Sequence, residues 1–507
     1  MAAQGNSIAK NTLFLYFRML VTLCVTLYTS RVVIEALGII DYGIYNLVAG
    51  VSTSFVFFSA GLSVSTQRFL NYEMGRGDTV RVRRIFSISL EIFAGLALLV
   101  LVAGIAVGDW LVTDKLVIPA HKRPEALVVL YAMVGSLCLM LVASVYESLL
   151  IARENMRLYA YLGVTDALAK LGIAFAVMYL PDKLVTYAVL MVVAQLVPYC
   201  IMVVYCLRKY PESRPHRYWD RGIFLEMFGF TGWNMYGSVI WMVNEQGITM
   251  LLNLFFGPVV NAARGVATSV NNAVNNFATQ FFTAVRPQLV KRYASGQTES
   301  LISLIFGSTK FTLYLLWLLC FPVMLRVDYI LDLWLKDVPE WSAPFVVWTL
   351  AYTMVNSLNN PTYTALSATG RLCRAVLIGS NMFLLAFPLS YVALKCGLSP
   401  VWVYPMLMAG RFAFFLVAVR EMKRYVPVSY GAYLHRVGWP VLKVLALSVA
   451  VMLPLNCVVP QSFAGLLTVV LAAIALNLLL MLAVGVTRDE RTTLREKSKQ
   501  ILSKFKK

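Results

Sequence analysis

Residues 257–290 carry the side chains best suited to handle a polar solute inside a membrane. Asn261, Arg264, Thr268, Asn271, Asn275 and Thr279 recur at steps of three and four, the spacing that aligns side chains along one face of an α-helix. Asn272 and Asn276 widen the stripe, and Val266, Ala267, Val270, Val274 and Phe277 fill its flanks. An arginine in a spanning helix costs about 2.5–3.5 kcal/mol on insertion scales, and a row of amides adds to that. Such a helix is retained when its polar face looks into a cavity filled by water or substrate. The chemistry implied is binding: amides for hydroxyl-rich groups, a guanidinium for an anion.

A second group lies just upstream. Asn234, Trp241 and Glu245 fall on related turns of one apolar segment, with Asn244 beside them. Trp233, Tyr236 and Trp241 are placed to stack on sugar faces or to pack against lipid. Intramembrane acids often mark ion relays, so Glu245 is the first candidate for proton or sodium coupling, followed by Asp166 and Glu35. Glu91 and Glu147 lie nearer to span ends and rank lower.

Catalytic chemistry is not expected. His121, His216 and His435 lie far apart, and the eight cysteines form neither a CxxC nor a Cys/His cluster, so no metal is expected. Only Cys396 and Cys457 fall near outer loops, where a disulfide between them is one reading. There is no nucleophile motif and no phosphate loop.

These residues must be positioned by membrane-spanning helices. Hydrophobic residues make up 59% of the 507 and charged residues 14%, with a mean hydropathy of +0.72. Soluble domains have about 25% charged residues. The polar first ten residues and the long first apolar segment argue against a cleavable signal. Apolar runs predict fourteen spans, at 11–36, 42–70, 85–108, 126–150, 159–180, 184–207, 223–255, 258–287, 302–326, 343–370, 374–395, 400–420, 438–457 and 463–486.

An even number of spans puts both termini on one side. Connections on that side carry Arg76, Arg81, Arg83 and Arg84, then Arg208, Lys209, Arg214, Arg217 and Arg221, and later Lys423, Arg424 and Arg436. The opposite side offers little beyond Lys115, Lys122, Arg123, Lys183, Lys336 and Lys395. The termini are therefore expected in the cytoplasm. The net charge of +19 is topological and gives no reason to invoke nucleic acid. The longest outer loops, 109–125 and 327–342, leave no room for a glycan-transferring catalytic domain. Residues 487–507 form a basic tail that either lies on the anionic inner leaflet, with Leu494, Ile501, Leu502 and Phe505 on one face, or is solvated.

The chain reads as built twice. Gly38 and Gly257 each precede a long helix, Gly77 and Gly296 each follow it, and both pairs are 219 residues apart. The expected organisation is two six-helix bundles, 1–222 and 223–436, related by a pseudo-two-fold axis along the membrane normal. Two added helices at 437–486 and the tail at 487–507 complete it.

The segments NTLFLYFRMLVTLCVTLYTSRVVIEALGIIDYGIYNLVAG (11–50), STQRFLNYEMGRGD (65–78) and GPVVNAARGVATSVNNAVNNFATQFFTAVRPQLVKRYASGQ (257–297) carry a resemblance. With this topology the chain resembles the multidrug/oligosaccharidyl-lipid/polysaccharide (MOP) flippase superfamily, in particular its O-antigen-type oligosaccharide-lipid flippases. The glycine, the Asp-Tyr-Gly-Ile-Tyr run and the helix ending in Gln-Arg-Phe are the specific part. The resemblance implies alternating access by two bundles, turning an undecaprenyl-pyrophosphate-linked oligosaccharide from the inner to the outer leaflet in polysaccharide or O-antigen (lipopolysaccharide) biosynthesis. It implies no cofactor, an ion gradient or membrane potential as the energy source, and membrane lipids, a polysaccharide polymerase and glycosyltransferases as partners.

By span and motif, the resemblance points to Arg18, Arg31, Arg68 and Arg264 as cavity arginines. Arg18, followed by Thr22 and Thr26, suits a pyrophosphate contact, the alternative being snorkelling to the inner interface. Arg264 would then stand at the opposite, outer end of one polar path, or serve as an interfacial anchor. Asn271 and Asn275 suit sugar hydroxyls, or interhelical hydrogen bonds. Arg31 and Glu35, four apart, read as a structural ion pair, and topology alone explains Arg68. Two other functions share the fold: a peptidoglycan lipid-precursor flippase, which would bind pyrophosphate similarly, and a multidrug exporter, which should line its cavity with acids and aromatics.

Overall fold

The computed structural model describes residues 2–110, 112–113, 122–214, 218–335 and 338–486, and these are helical almost throughout, without a strand among them. The helices are α1 (Ala2–Arg76), α2 (Thr79–Trp110), α3 (Arg123–Ala152), α4 (Met156–Val177), α5 (Lys183–Lys209), α6 (Arg221–Phe256), α7 (Pro258–Ala294), α8 (Thr298–Leu325) and α9 (Val327–Trp334). Then follow α10 (Ser342–Ser357), α11 (Asn359–Ala368), α12 (Cys373–Leu384), α13 (Ala386–Lys395), α14 (Val403–Met422), α15 (Tyr430–Tyr433), α16 (Trp439–Val458) and α17 (Phe463–Leu480). Among the described residues, ten helical segments are long and apolar enough to cross a membrane, among them α12 joined to α13. The other expected spans are helical too. Helix α7 is diluted by its asparagine stripe, and α10 and α11 are each short, at 16 and 10 residues. The tail at 487–507 lies outside the described residues.

The expected spans 11–36 and 42–70 are not separated by a break in helix. Gly38 is helical, and no proline near it removes a backbone donor. A straight helix of 75 residues would be about 110 Å long at 1.5 Å per residue. Yet Leu15 packs in one cluster with Ala284, and Gly75 abuts the backbone of Lys291, only seven residues further along α7. Helix α1 therefore does not run straight; midway along it, Lys122 contacts Asp41 at 3.2 Å and the ring of Tyr45 meets that of Tyr187 at 4.9 Å. By contrast α6 and α7 are cut apart at Gly257, which takes φ +78°, and at Pro258, which opens α7. Gly77 (φ +79°) and Gly296 (φ +72°) close α1 and α7 in the same left-handed conformation. Asp220 caps the start of α6, and the N–H groups of Ile223 and Gly222 hold its carboxyl below the usual range.

The chain divides into two compact units, Met1–Met235 with Thr283–Gly296, and Tyr236–Phe282 with Gln297–Lys507. The division runs through α6 and α7, whereas the division by span order falls at 222/223. In the first unit α1, α3, α4 and α5 enclose apolar clusters such as Val32, Val33, Leu37, Ala174 and Tyr187. In the second, α8 is the most interior of the apolar spans, with 67% of its apolar window buried.

The two additional helices dock on α8 through buried polar contacts. Asn477 of α17 accepts from the Trp317 indole at 3.1 Å and from Ser448 of α16 at 2.5 Å. Tyr314 donates to the carbonyl of Gly485 at 2.9 Å, and Arg326 to that of Val459 at 2.7 Å. Asn477→Leu leaves the buried Trp317 N–H without its acceptor. It should cost about 1–2 kcal/mol, lowering the thermal midpoint of the detergent-solubilised protein by about 2–4 °C. An unchanged midpoint would show that the contact contributes nothing. Cys396 and Cys457 are both free and exposed, so the structure does not form the disulfide considered from their position.

Candidate functional site

Four helices of the second unit line one cavity of about 530 Å³, three of them with a polar row. Helix α6 supplies Trp241, Glu245 and Thr249, spaced by four, with Gln246 beside them. Helix α7 supplies Arg264, Thr268, Asn271, Asn272 and Asn275, the central part of the stripe visible in sequence. From α10 come Thr349, Tyr352, Thr353 and Asn356, and from α14 Tyr404 and Leu407. The periodicity of each helix brings the polar side chains to one wall and leaves the rest of its surface apolar.

Helix α6 offers Arg264 three acceptors. Its Nη2 donates to Glu245 Oε2 at 2.7 Å, and its Nη1 donates to the Glu245 carbonyl at 3.0 Å and to the Thr249 hydroxyl. The arginine side chain is only 9% exposed and the glutamate 26%. A charge of each sign at this depth is tolerable because each neutralises the other and the remaining donors find oxygen. The Thr353 hydroxyl donates to Asn271 Oδ1, so the amide nitrogen of Asn271 is left to donate elsewhere. Behind the wall, Arg411 Nε approaches the Tyr352 hydroxyl at 3.4 Å while its guanidinium lies 4.0 Å from the Phe383 ring centroid.

The first unit contains a separate, smaller pocket of about 170 Å³. Arg18 of α1 enters it with its guanidinium 4.1 Å from the ring centroid of Tyr159 on α4. One turn further along α4, Gly163 makes room: a Cβ there would stand 2.3 Å from Arg18 Nε. Glu147 of α3, Asp166 and Lys170 of α4, and Gln195 and Tyr199 of α5 supply the other polar side chains of the lining. Asp166 is bound to Lys170 at 2.8 Å. Arg18 Nη1 is buried and makes no hydrogen bond to the protein.

Of the residues singled out from sequence, Trp241, Glu245, Arg264, Asn271 and Asn275 converge on the larger cavity, and Arg18 and Asp166 on the smaller. Asn234, Asn244, Arg68 and Glu35 line neither. Asn244 is fully buried and donates back to the Ile240 carbonyl at 3.1 Å, and Asn234 donates to that of Phe230 at 2.8 Å. Arg68 is buried among Phe69, Tyr72 and Phe230, 4.0 Å from Glu226, in a structural setting. Glu35 is exposed, and the Arg31 side chain lies outside the described residues. Sequence reasoning missed α10, although Thr349, Tyr352, Thr353 and Asn356 repeat the three-and-four spacing that marked α7. It also ranked Glu147 low, because a position near a span end hides which face the side chain takes.

The family model described as "Polysaccharide biosynthesis protein" matches residues 8–292. No curated protein sequence matches the chain. Among solved structures it is similar in fold to a MATE crystal structure in the bent conformation, with a TM-score of 0.73 and 13% identity over 83% of this chain and 95% of that one. An outward-facing multidrug resistance MATE family transporter of the MOP superfamily gives a TM-score of 0.71 and 13% identity over 83% and 96%. A MOP superfamily transporter from Pyrococcus furiosus, described as having a binding pocket of reverse polarity that suggests a different function, gives 0.67 and 14% over 84% and 96%.

Proposed function

The chain belongs to the polysaccharide biosynthesis protein family of the MOP superfamily, a family of membrane transporters, and on that premise we propose that it is a lipid-linked oligosaccharide flippase. Its substrate is an undecaprenyl-pyrophosphate-linked glycan, turned by alternating access from the inner to the outer leaflet of a bacterial inner membrane, with both chain termini in the cytoplasm. A proton or sodium gradient, or the membrane potential, drives turnover. The membrane glycosyltransferases that make the glycan and the polymerase that consumes it are its expected partners.

The observation that carries this reading is the chemistry of the second-unit cavity. Amides, hydroxyls, two phenols and an indole line it, which is the set that binds sugar rings: hydrogen bonds to their hydroxyls and stacking on their apolar faces. A cavity for cationic drugs would gather several acids, and here Glu245 is the one acid among the lining residues. The pyrophosphate needs a donor not already occupied, and the unbonded Nη1 of Arg18 supports that assignment.

The test is the outer-leaflet level of the lipid-linked oligosaccharide in cells depleted of the protein. Wild type should restore it, and Arg18→Ala should restore less than about a tenth at equal membrane abundance, the loss expected for one charge-assisted contact. Failure of wild type to change that lipid, with rescue of the peptidoglycan precursor instead, would move the substrate to the other lipid pyrophosphate.

A further inference from the structure

Arg264 stands out in the sequence as an anion receptor, yet the structure shows it engaged. Its guanidinium is bound by the Glu245 carboxylate, the Glu245 carbonyl and the Thr249 hydroxyl, and little of it reaches the cavity. The Glu245 side chain is about three times as exposed. Only Oε2 of its carboxylate is bonded to Arg264, and Oε1 carries no hydrogen bond among the described residues. The charge that faces the cavity is therefore negative. Apart from this pair the lining is uncharged, with Trp241, Tyr352, Tyr404, Leu407 and Gln246 as its largest members. The further cation nearby, Arg411, does not line the cavity and is stacked on Phe383.

We infer that the second-unit cavity selects uncharged sugars, and that Glu245 is the residue that excludes glycans carrying a carboxylate at the sugar it holds. This rests on the oligosaccharide flippase reading. Oε1 is an acceptor only, so it suits a sugar hydroxyl or an N-acetyl N–H. A uronic acid in the same place sets carboxylate against carboxylate in a site of reduced dielectric, with no unengaged cation to offset it. Arg264 is a positioning residue: its bond to Oε2 holds the Glu245 carboxylate aimed at the cavity. Specificity here comes from the repulsive element as much as from the attractive contacts.

The test uses purified protein in proteoliposomes and two synthetic substrates. One is undecaprenyl pyrophosphate bearing a neutral trisaccharide, the other the same lipid with the terminal CH2OH oxidised to a carboxylate. Wild type should flip the neutral lipid at least about tenfold faster, the discrimination expected when like charges are juxtaposed. Glu245→Gln keeps an acceptor oxygen for Arg264 and removes the charge, so the ratio should fall to within about threefold. Glu245→Asp should keep the preference, which separates charge from a folding defect. Equal wild-type rates for the two lipids, or an undiminished ratio in Glu245→Gln, would overturn the inference and leave the flippase reading standing. Folded wild type that moves neither lipid would overturn that reading itself.

Discussion

Arg264→Ala is expected to abolish transport and to destabilise the second unit by about 2–4 kcal/mol, because it leaves a carboxylate in a mostly buried setting without its counter-ion. The upper end of the range for broken buried pairs is about 5 kcal/mol, and the partial exposure of Glu245 reduces it. Glu245→Ala should destabilise to a similar extent for the opposite reason, leaving the buried guanidinium of Arg264 without its carboxylate. The double variant Glu245→Ala/Arg264→Ala should recover most of the lost stability, since neither charge then remains buried alone, while transport stays absent. A double-mutant cycle on thermal midpoints reads the coupling directly. If the two single effects simply add, the pair is not the electrostatic unit described, and the charge facing the cavity must be assigned afresh.

Gly163→Ala should cost about tenfold in transport while leaving the protein folded. In a helix interior alanine is favoured over glycine by about 1 kcal/mol, so the substitution alone stabilises α4. The Cβ it introduces would stand 2.3 Å from Nε, 2.8 Å from Cδ and 3.1 Å from Cζ of Arg18, so the arginine must leave its place over Tyr159. The long side chain can relocate, which spares the fold and removes the guanidinium from the pocket. The decisive feature is non-additivity: Arg18→Ala combined with Gly163→Ala should transport no worse than Arg18→Ala alone. Full activity of Gly163→Ala with Arg18 displaced would remove Arg18 from the transport mechanism.

These predictions turn on features of unequal visibility in the sequence. The polar stripe of α7 was legible because an isolated row of asparagines at helical spacing contrasts with apolar surroundings. Class, helical content and most span limits were legible for the same reason, since each spanning helix must satisfy its backbone internally and present a long apolar run. The spans 11–36 and 42–70 were expected as separate helices, but no proline near Gly38 removes a backbone donor, and Ala2–Arg76 is helical throughout. Asn234, Asn244 and Arg68 show the limit of residue-type reasoning. A polar side chain in a membrane helix is equally well explained by back-bonding to the preceding turn or by packing among aromatics, and here those settings hold all three.

The sequence by itself determined the membrane class, the helical elements and the face of α7 that carries the polar chemistry, because helical periodicity is a local property. Only the tertiary structure decided that α10 and α14 close the cavity, that Glu147 shares a pocket with Arg18, and that Arg264 is already spoken for by Glu245 nineteen residues away. Those facts depend on which helices meet and at what rotation. Rotation is set by packing over the whole surface of each helix, and no spacing within a single helix encodes it.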